Sequence, residues 1–260
     1  MSFDVNLLPR RAVLPTRRAV AAGVLCALAL AACQHPATVT PDAPDDRAPA
    51  VQPTVPGGAF EGWLPRPMPS KRWADFRPVV QDGVAGLELQ ANGTLSLLHR
   101  VLEPPRTDVQ RVAWSWWLGK ELPEADLAQA DISDSPVRLL LAFDGDRDRL
   151  TGRQAMASEF VRLLTGHELP FATLTYVWTR QYAPGTVLHN PRSDRIRYLV
   201  VEQGAAQLGR WLSYERDIQA DFRTAFGEAP GPLVGVGLMT DTDNTKASTR
   251  VVYGPVTLKP

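Results

Sequence analysis

The sequence predicts an all-β fold, a β-sandwich with two short helices, carried behind an export signal and a tether. Three observations predict it. Short apolar runs recur from residue 84 to 258, alternating with a period of two or bounded by Gly, Pro and Asp turns. Two stretches only carry helical spacing. All 7 tryptophans lie beyond residue 60, so about 200 residues hold the material of a substantial core and the first 58 do not.

Taken in order, residues 1–20 carry Arg10, Arg11, Arg17 and Arg18 against one acid, Asp4, and residues 19–32 (AVAAGVLCALALAA) carry no charge. A bilayer span needs about 20 apolar residues, so this run is too short to cross one. A basic head, a short apolar run and small residues at its end make a secretory signal. A buried core helix is the alternative, but the Pro-rich stretch that follows offers nothing to cover it. Residues 34–58 (QHPATVTPDAPDDRAPAVQPTVPGG) have no aromatic side chain and are dense in Pro, Ala and Asp. They cannot bury enough apolar surface to offset the entropy of ordering, and read as a tether reaching roughly 75 Å at ~3.1 Å per residue.

Within the folded part, strands are expected at 84–89, 94–98, 111–118, 137–143, 174–178, 196–201, 233–239, 251–253 and 256–258. Gly93 marks the turn between the first two. In 111–118 the period of two puts Val112, Trp114, Trp116 and Leu118 on one face and Trp117 on the other. The first helix is expected at 154–164, with Met156, Phe160, Val161 and Leu164 on its apolar face. The second, at 217–226, recurs Ile218, Phe222 and Phe226, with Asp217 as N-cap and Gly227 as its stop.

The junction Leu30-Ala31-Ala32-Cys33 resembles the bacterial lipobox. That resemblance implies a diacylglycerol on the Cys33 thiol, cleavage before it and acylation of the new amine. One acyl chain holds only marginally, so several on one residue make a durable membrane anchor. Gln34 rather than Asp after the cysteine implies, by resemblance to Gram-negative sorting, the outer membrane with the folded part facing the periplasm. Thr16-Arg17-Arg18 resembles a twin-arginine signal, but Ala19-Val20-Ala21 departs from it, so the export route stays open. Cys26 lies in the removed segment. The mature chain keeps Cys33 alone, which excludes a disulfide and a Cys-based metal site or nucleophile. The whole chain balances 28 basic against 28 acidic residues, and the mature chain 24 against 27, a net charge of −3. That balance gives no nucleic-acid footprint.

Several segments together resemble DUF3047, a bacterial family of unknown function. They are Trp114-Ser115-Trp116, residues 141–146 (LAFDGD), Tyr176-Val177-Trp178, residues 214–217 (YERD), Phe226-Gly227-Glu228, residues 239–245 (MTDTDNT) and Tyr253-Gly254. The resemblance covers residues 63–258. It implies a secreted or periplasmic β-sandwich of jelly-roll, galactose-binding-like type, and brings no catalytic residues. Trp117 departs from the pattern, standing where a basic residue is expected.

The strongest polar constellation is Asp241, Asp243 and Asn244, with Thr242 and Thr245 between and after them. Two carboxylates and an amide within four residues suit a hard cation such as Ca²⁺ at Asp241 and Asp243, hydrogen bonds to sugar hydroxyls, or a turn closed on its own backbone. Asp144, Asp146 and Asp148 are spaced like the start of a calcium loop. Arg149 stands at its sixth position and Ala155 at its twelfth, which favours a solvated turn. Trp117 on an outer face suits stacking on a sugar ring, or cover by a helix or loop. Arg216 suits a pair with Glu215 or with a ligand carboxylate. Gly-x-Ser-x-Gly, HExxH and GxxxxGK[ST] are absent, and His99, His167 and His189 lie far apart. Asp241 or Asp243 with Glu215 is the carboxylate pair a polysaccharide hydrolase would use. The first expectation is therefore a non-catalytic module that binds a glycan or serves as a scaffold for an envelope protein. A hydrolase of envelope polysaccharide is the alternative.

Overall fold

The computed structural model describes residues 58–165 and 168–260, with the side chains of 160, 161 and 163–165 outside the described set. The expected signal, Cys33 and the expected tether up to residue 57 lie outside the described residues, as does His167. Among the described residues no helix is long and apolar enough to cross a membrane.

Thirteen strands are described: β1 (Leu64–Pro65), β2 (Arg77–Gln81), β3 (Val84–Asn92), β4 (Leu95–Arg106), β5 (Arg111–Leu118), β6 (Ser135–Phe143), β7 (Ala172–Thr179), β8 (Val187–Asn190), β9 (Ser193–Gln203), β10 (Trp211–Asp217), β11 (Leu233–Asp241), β12 (Ser248–Tyr253) and β13 (Thr257–Lys259). Two α-helices join them, α1 (Gly152–Thr165) and α2 (Ile218–Phe226). One sheet has seven strands in the order β1-β4-β11-β6-β7-β9-β8. The second runs β10-β5-β12-β3-β2, with β13 also paired to β5. When β3 to β7 and β10 to β12 are counted as eight successive strands, the sheets read 2-7-4-5 and 6-3-8-1. That is the double Greek key of a jelly roll. The addition is β8 and β9, set outside β7, with β9 parallel to β7.

The predicted alternation of 111–118 holds: Val112, Trp114, Trp116 and Leu118 are buried and the residues between them are not. Trp114 is the joint between the sheets. Its ring stacks on Tyr214 across the β5–β10 ladder (5.0 Å between centroids) and on Tyr176 of the opposite sheet (4.8 Å). An aromatic side chain buries about 200 Å², worth about 5 kcal/mol at ~25 cal/mol per Å². On β6, Val137, Leu139, Leu141 and Phe143 face the same core, leaving Arg138, Leu140 and Ala142 on the outer face of the seven-stranded sheet.

That outer face is partly covered. Leu127 packs on Val177, Leu188, Tyr198 and Val200. Further along, Met68 packs on Leu95, Leu97 and Met239. Two non-strand segments thus lie over the sheet, and Arg138 emerges with the side chains around both.

The second helix starts and stops as its sequence predicts. The Asp217 carboxylate accepts from the Ala220 N–H at 2.9 Å, and Gly227 closes the helix in the left-handed region (φ 76°). The first helix corrects an expectation. Met156, placed by spacing on its apolar face, is 72% exposed, and Ser158 is buried instead. Phe160, Val161 and Leu164, the rest of that expected face, lie outside the described side chains.

Candidate ligand cleft

Every residue of the 241–245 segment is tied to a residue distant in the chain. Asp241 Oδ2 accepts from the Arg138 guanidinium at 3.2 Å, both groups being buried. Thr242 meets Thr94 in the turn after β3, its Oγ1 accepting from the Thr94 N–H at 3.0 Å. Asp243 pairs with the Lys71 ammonium. Asn244 and Thr245 turn toward Asp134, whose Oδ1 accepts from the Asn244 N–H (3.2 Å) and Nδ2 (2.9 Å). Asp134 Oδ2 accepts from the Thr245 N–H (2.7 Å) and Oγ1 (2.6 Å). Asp134 is the residue that sequence reasoning missed. It sits some 100 positions earlier in a loop, and no local pattern links it to residue 241.

Carboxylate oxygens of Asp134, Asp241 and Asp243 all lie within 4.8 Å of one another, the one such group among the described residues. The trio does not fit the Ca²⁺ ion expected at Asp241 and Asp243. Calcium takes six to eight oxygens. Both oxygens of Asp134 already accept two hydrogen bonds each, which fills a carboxylate's lone pairs. The chain's own cations, Arg138 and Lys71, hold the other two acids. Burial is the main force raising Asp241, to about 7, with Asp134 and Asp243 adding to it and Arg138 opposing. Burial acts on Asp134 in the same direction, but the donors of Thr245 and Asn244 outweigh it and hold that carboxyl below its ordinary range. The cluster is a clasp with one strained member.

The other expected residues sit elsewhere. Trp117 is on the outer face of the six-stranded sheet, half-buried, opposite Trp211 on β10. The Arg250 guanidinium lies 4.8 Å over its ring and is itself held by Glu88 (2.5 Å) and Gln81 (2.8 Å). The ring face expected to take a sugar is therefore capped by a side chain of the protein. Arg216 does not pair with Glu215: it makes a bidentate contact to Asp221 of α2 (2.8 and 2.5 Å), which also accepts from Tyr176 Oη at 2.9 Å. Glu215 pairs with Lys259 at 2.8 Å and Arg111 at 3.4 Å. It lies in the six-stranded sheet, whereas Asp241 ends β11 in the other, so the structure does not bring the expected carboxylate pair together. The segment 144–148 forms a capped turn, Asp146 accepting from the Asp148 N–H at 3.1 Å.

The clasp borders a cleft. A hollow of about 620 Å³ is lined by Ser70, Lys71, Arg72, Arg192, Asn244 and Lys246, with Gly93, Asp131 and Asp243 completing it. A second, of about 630 Å³, lies between α1, the start of β7, the end of β8 and the start of β9. It is lined by Thr151, Arg153, Gln154, Asn190, Arg192 and Arg195 among others. Arg192 lines both, so the two hollows meet at its side chain. Arg192 is positioned from the turn between β8 and β9, donating to Ser133 Oγ (2.9 Å) and to the Ala130 carbonyl.

The family model described as "Protein of unknown function (DUF3047)" matches residues 61–257. The chain belongs to DUF3047. The match takes in every strand of the DUF3047 jelly roll from β1 to the start of β13, and the whole clasp from Lys71 to Thr245. No curated protein matches the chain. Among solved structures, a Family 11 carbohydrate-binding module from Clostridium thermocellum in complex with a β-1,3-1,4-mixed-linked tetrasaccharide aligns at 10% identity and TM-score 0.41. That alignment covers 77% of this DUF3047 chain and 92% of the module. A carbohydrate-binding module, CBM28, specific for non-crystalline cellulose aligns at 12% identity and TM-score 0.36 (77% and 91% covered). The xyloglucanase domain of NopAA from Sinorhizobium fredii aligns at 7% identity and TM-score 0.35 (80% and 99% covered).

Proposed function

We propose that this protein is an outer-membrane lipoprotein, anchored through Cys33, whose jelly-roll domain binds a glycan in the periplasm without cleaving it. The observation that carries the binding reading is the pair of hollows meeting at Arg192. Sugar hydroxyls both donate and accept, and such a ligand needs side chains of both kinds along an open path. Ser70, Asn244, Asn190, Gln154 and Thr151 supply them, on a floor that the clasp and the strands make rigid. The non-catalytic reading is supported by the state of the carboxylates. Asp241 is buried against Arg138, Asp243 is paired with Lys71, and Glu215 lies in the other sheet.

The anchor reading rests on the basic head, the uncharged run and Leu30-Ala31-Ala32-Cys33-Gln34. Replacing Cys33 by Ala tests it. The variant is expected to lose acyl labelling and to fractionate as a soluble periplasmic protein, and continued labelling would overturn the anchor. The binding reading is tested by screening the full chain against a glycan array and against cell-wall and exopolysaccharide fractions. Retention on a glycan that Arg192→Ala and Asn244→Ala both abolish supports it, and a screen without any retained glycan overturns it.

One observation favours a hydrolase: a carboxyl raised to about 7 beside a second carboxyl has the acid strength of a general acid. That reading predicts reducing ends released with a bell-shaped pH profile, lost in Asp241→Asn.

A further inference from the structure

Charge is unevenly placed on this domain. Residues 58–260 hold 23 basic and 24 acidic side chains, so the domain as a whole is close to neutral. Along the two hollows that meet at Arg192 the balance is different. Lys71, Arg72, Arg153, Arg192, Arg195 and Lys246 line them against three acids, Asp131, Asp194 and Asp243.

The partners of these cations matter more than their number. Lys71 has a carboxylate, that of Asp243. The other five make no ion pair among the described residues. Lys246 donates to the Asp243 carbonyl at 2.5 Å, and Arg192 to a hydroxyl and a carbonyl. Arg195 donates its Nε to the Phe171 carbonyl at 2.6 Å and lies 3.7 Å over the Phe171 ring, and its buried Nη2 has no acceptor. The side chains of Arg72 and Arg153 are exposed, without a hydrogen bond or ion pair among the described residues. Arg147, Arg149 and Arg162, by contrast, each meet a carboxylate. Five of the six cations are thus without a carboxylate: Arg192, Arg195 and Lys246 are held by carbonyls, a hydroxyl or a ring face, and Arg72 and Arg153 stand in solvent, an arrangement open to anions from outside the chain.

The geometry points to an acidic polysaccharide, one carrying a carboxylate on successive sugars, as the ligand of this groove. The inference rests on the glycan-binding reading and narrows it. Cations stand in both hollows and Arg192 stands where they meet, so positive charge repeats along a path, as a polyuronate's carboxylates do. A small anion would use one end only. Four of the six are arginines, whose planar fork takes a carboxylate in two parallel hydrogen bonds. The side-chain amides and hydroxyls between them serve the sugar hydroxyls.

The test is calorimetric titration of the full chain with oligogalacturonate, with a neutral dextran oligosaccharide of equal length, and with a DNA duplex. Binding of oligogalacturonate in preference to both is expected, weakening steeply as salt is raised from about 50 to about 500 mM, because screening shortens the reach of exposed charges. The double variant Arg72→Glu, Arg153→Glu alters two exposed, unpartnered side chains. It should keep the thermal midpoint and weaken the acidic oligosaccharide at least about tenfold. Equal binding of neutral and acidic sugars, or a double variant that binds as the wild type does, would overturn the acidic ligand and leave glycan binding standing. Binding of DNA as tight as that of oligogalacturonate would make the groove a general polyanion surface and also overturn it. Failure of every sugar to bind would overturn both readings.

Discussion

Burial keeps the Asp241 carboxyl protonated far above the range of an exposed aspartate, and its neighbours Asp134 and Asp243 push in the same direction. An unfolded aspartate titrates near about 3.9. Between there and about 7 the native state holds a proton that the unfolded state releases, so stability falls as the pH rises through that window. Asp134 has the opposite sign. Its pKa is held low, so its contribution is complete above the ordinary carboxylate range and is lost only in stronger acid. The two therefore separate along the pH axis. Asp241→Asn stays neutral throughout and should flatten the decline between about pH 4 and about pH 7 in urea-unfolding midpoints. A variant with the wild-type slope would show that another group titrates there. Arg216 carries the same lesson in a different form. Sequence proximity suggests Glu215 as its partner, yet the side chains of adjacent strand residues point to opposite faces, and the bond goes to Asp221.

Among the elements, the 241–245 loop shows what a specific motif can be specific for. Its five residues meet four partners: Arg138 on β6, Thr94 after β3, Lys71 before β2, and Asp134 before β6, the last holding both Asn244 and Thr245. Asp134→Ala should leave the part-buried donors of Asn244 and Thr245 without their acceptor and cost about 3 kcal/mol in chemical unfolding. A loss below about 1 kcal/mol would mean that water replaces the carboxylate at no structural cost. Strands with clean alternation were legible in the sequence. Residues 111–118 bury the four side chains that the period of two selects, and α2 has both its caps where Asp217 and Gly227 put them. Elements whose burial depends on what covers them were not. β1, β2 and β8 are edge or near-edge strands of two to five residues with weak apolar pattern. Met156 has helical spacing, but it faces solvent. The Trp117 ring reads as a platform until Arg250, 133 residues further on, is seen lying across it.

For the whole molecule, the jelly roll sets one sheet with its outer face under loops and the other with its outer face capped by side chains. The open polar path falls on the seven-stranded side, where Arg192 joins the two hollows. No stretch of sequence announces this path. It is assembled from residues 70–72, 151–158, 169–173, 189–196 and 243–246, which only the Greek-key connections bring together. The measurement that tests the central claim most directly is hydrogen–deuterium exchange of the full chain with and without saturating acidic oligosaccharide. Slowed exchange confined to residues 70–72, 151–158, 189–196 and 243–246 is the predicted result. Protection on the face that carries Trp117, Trp211 and Arg250, with none around Arg192, would contradict it.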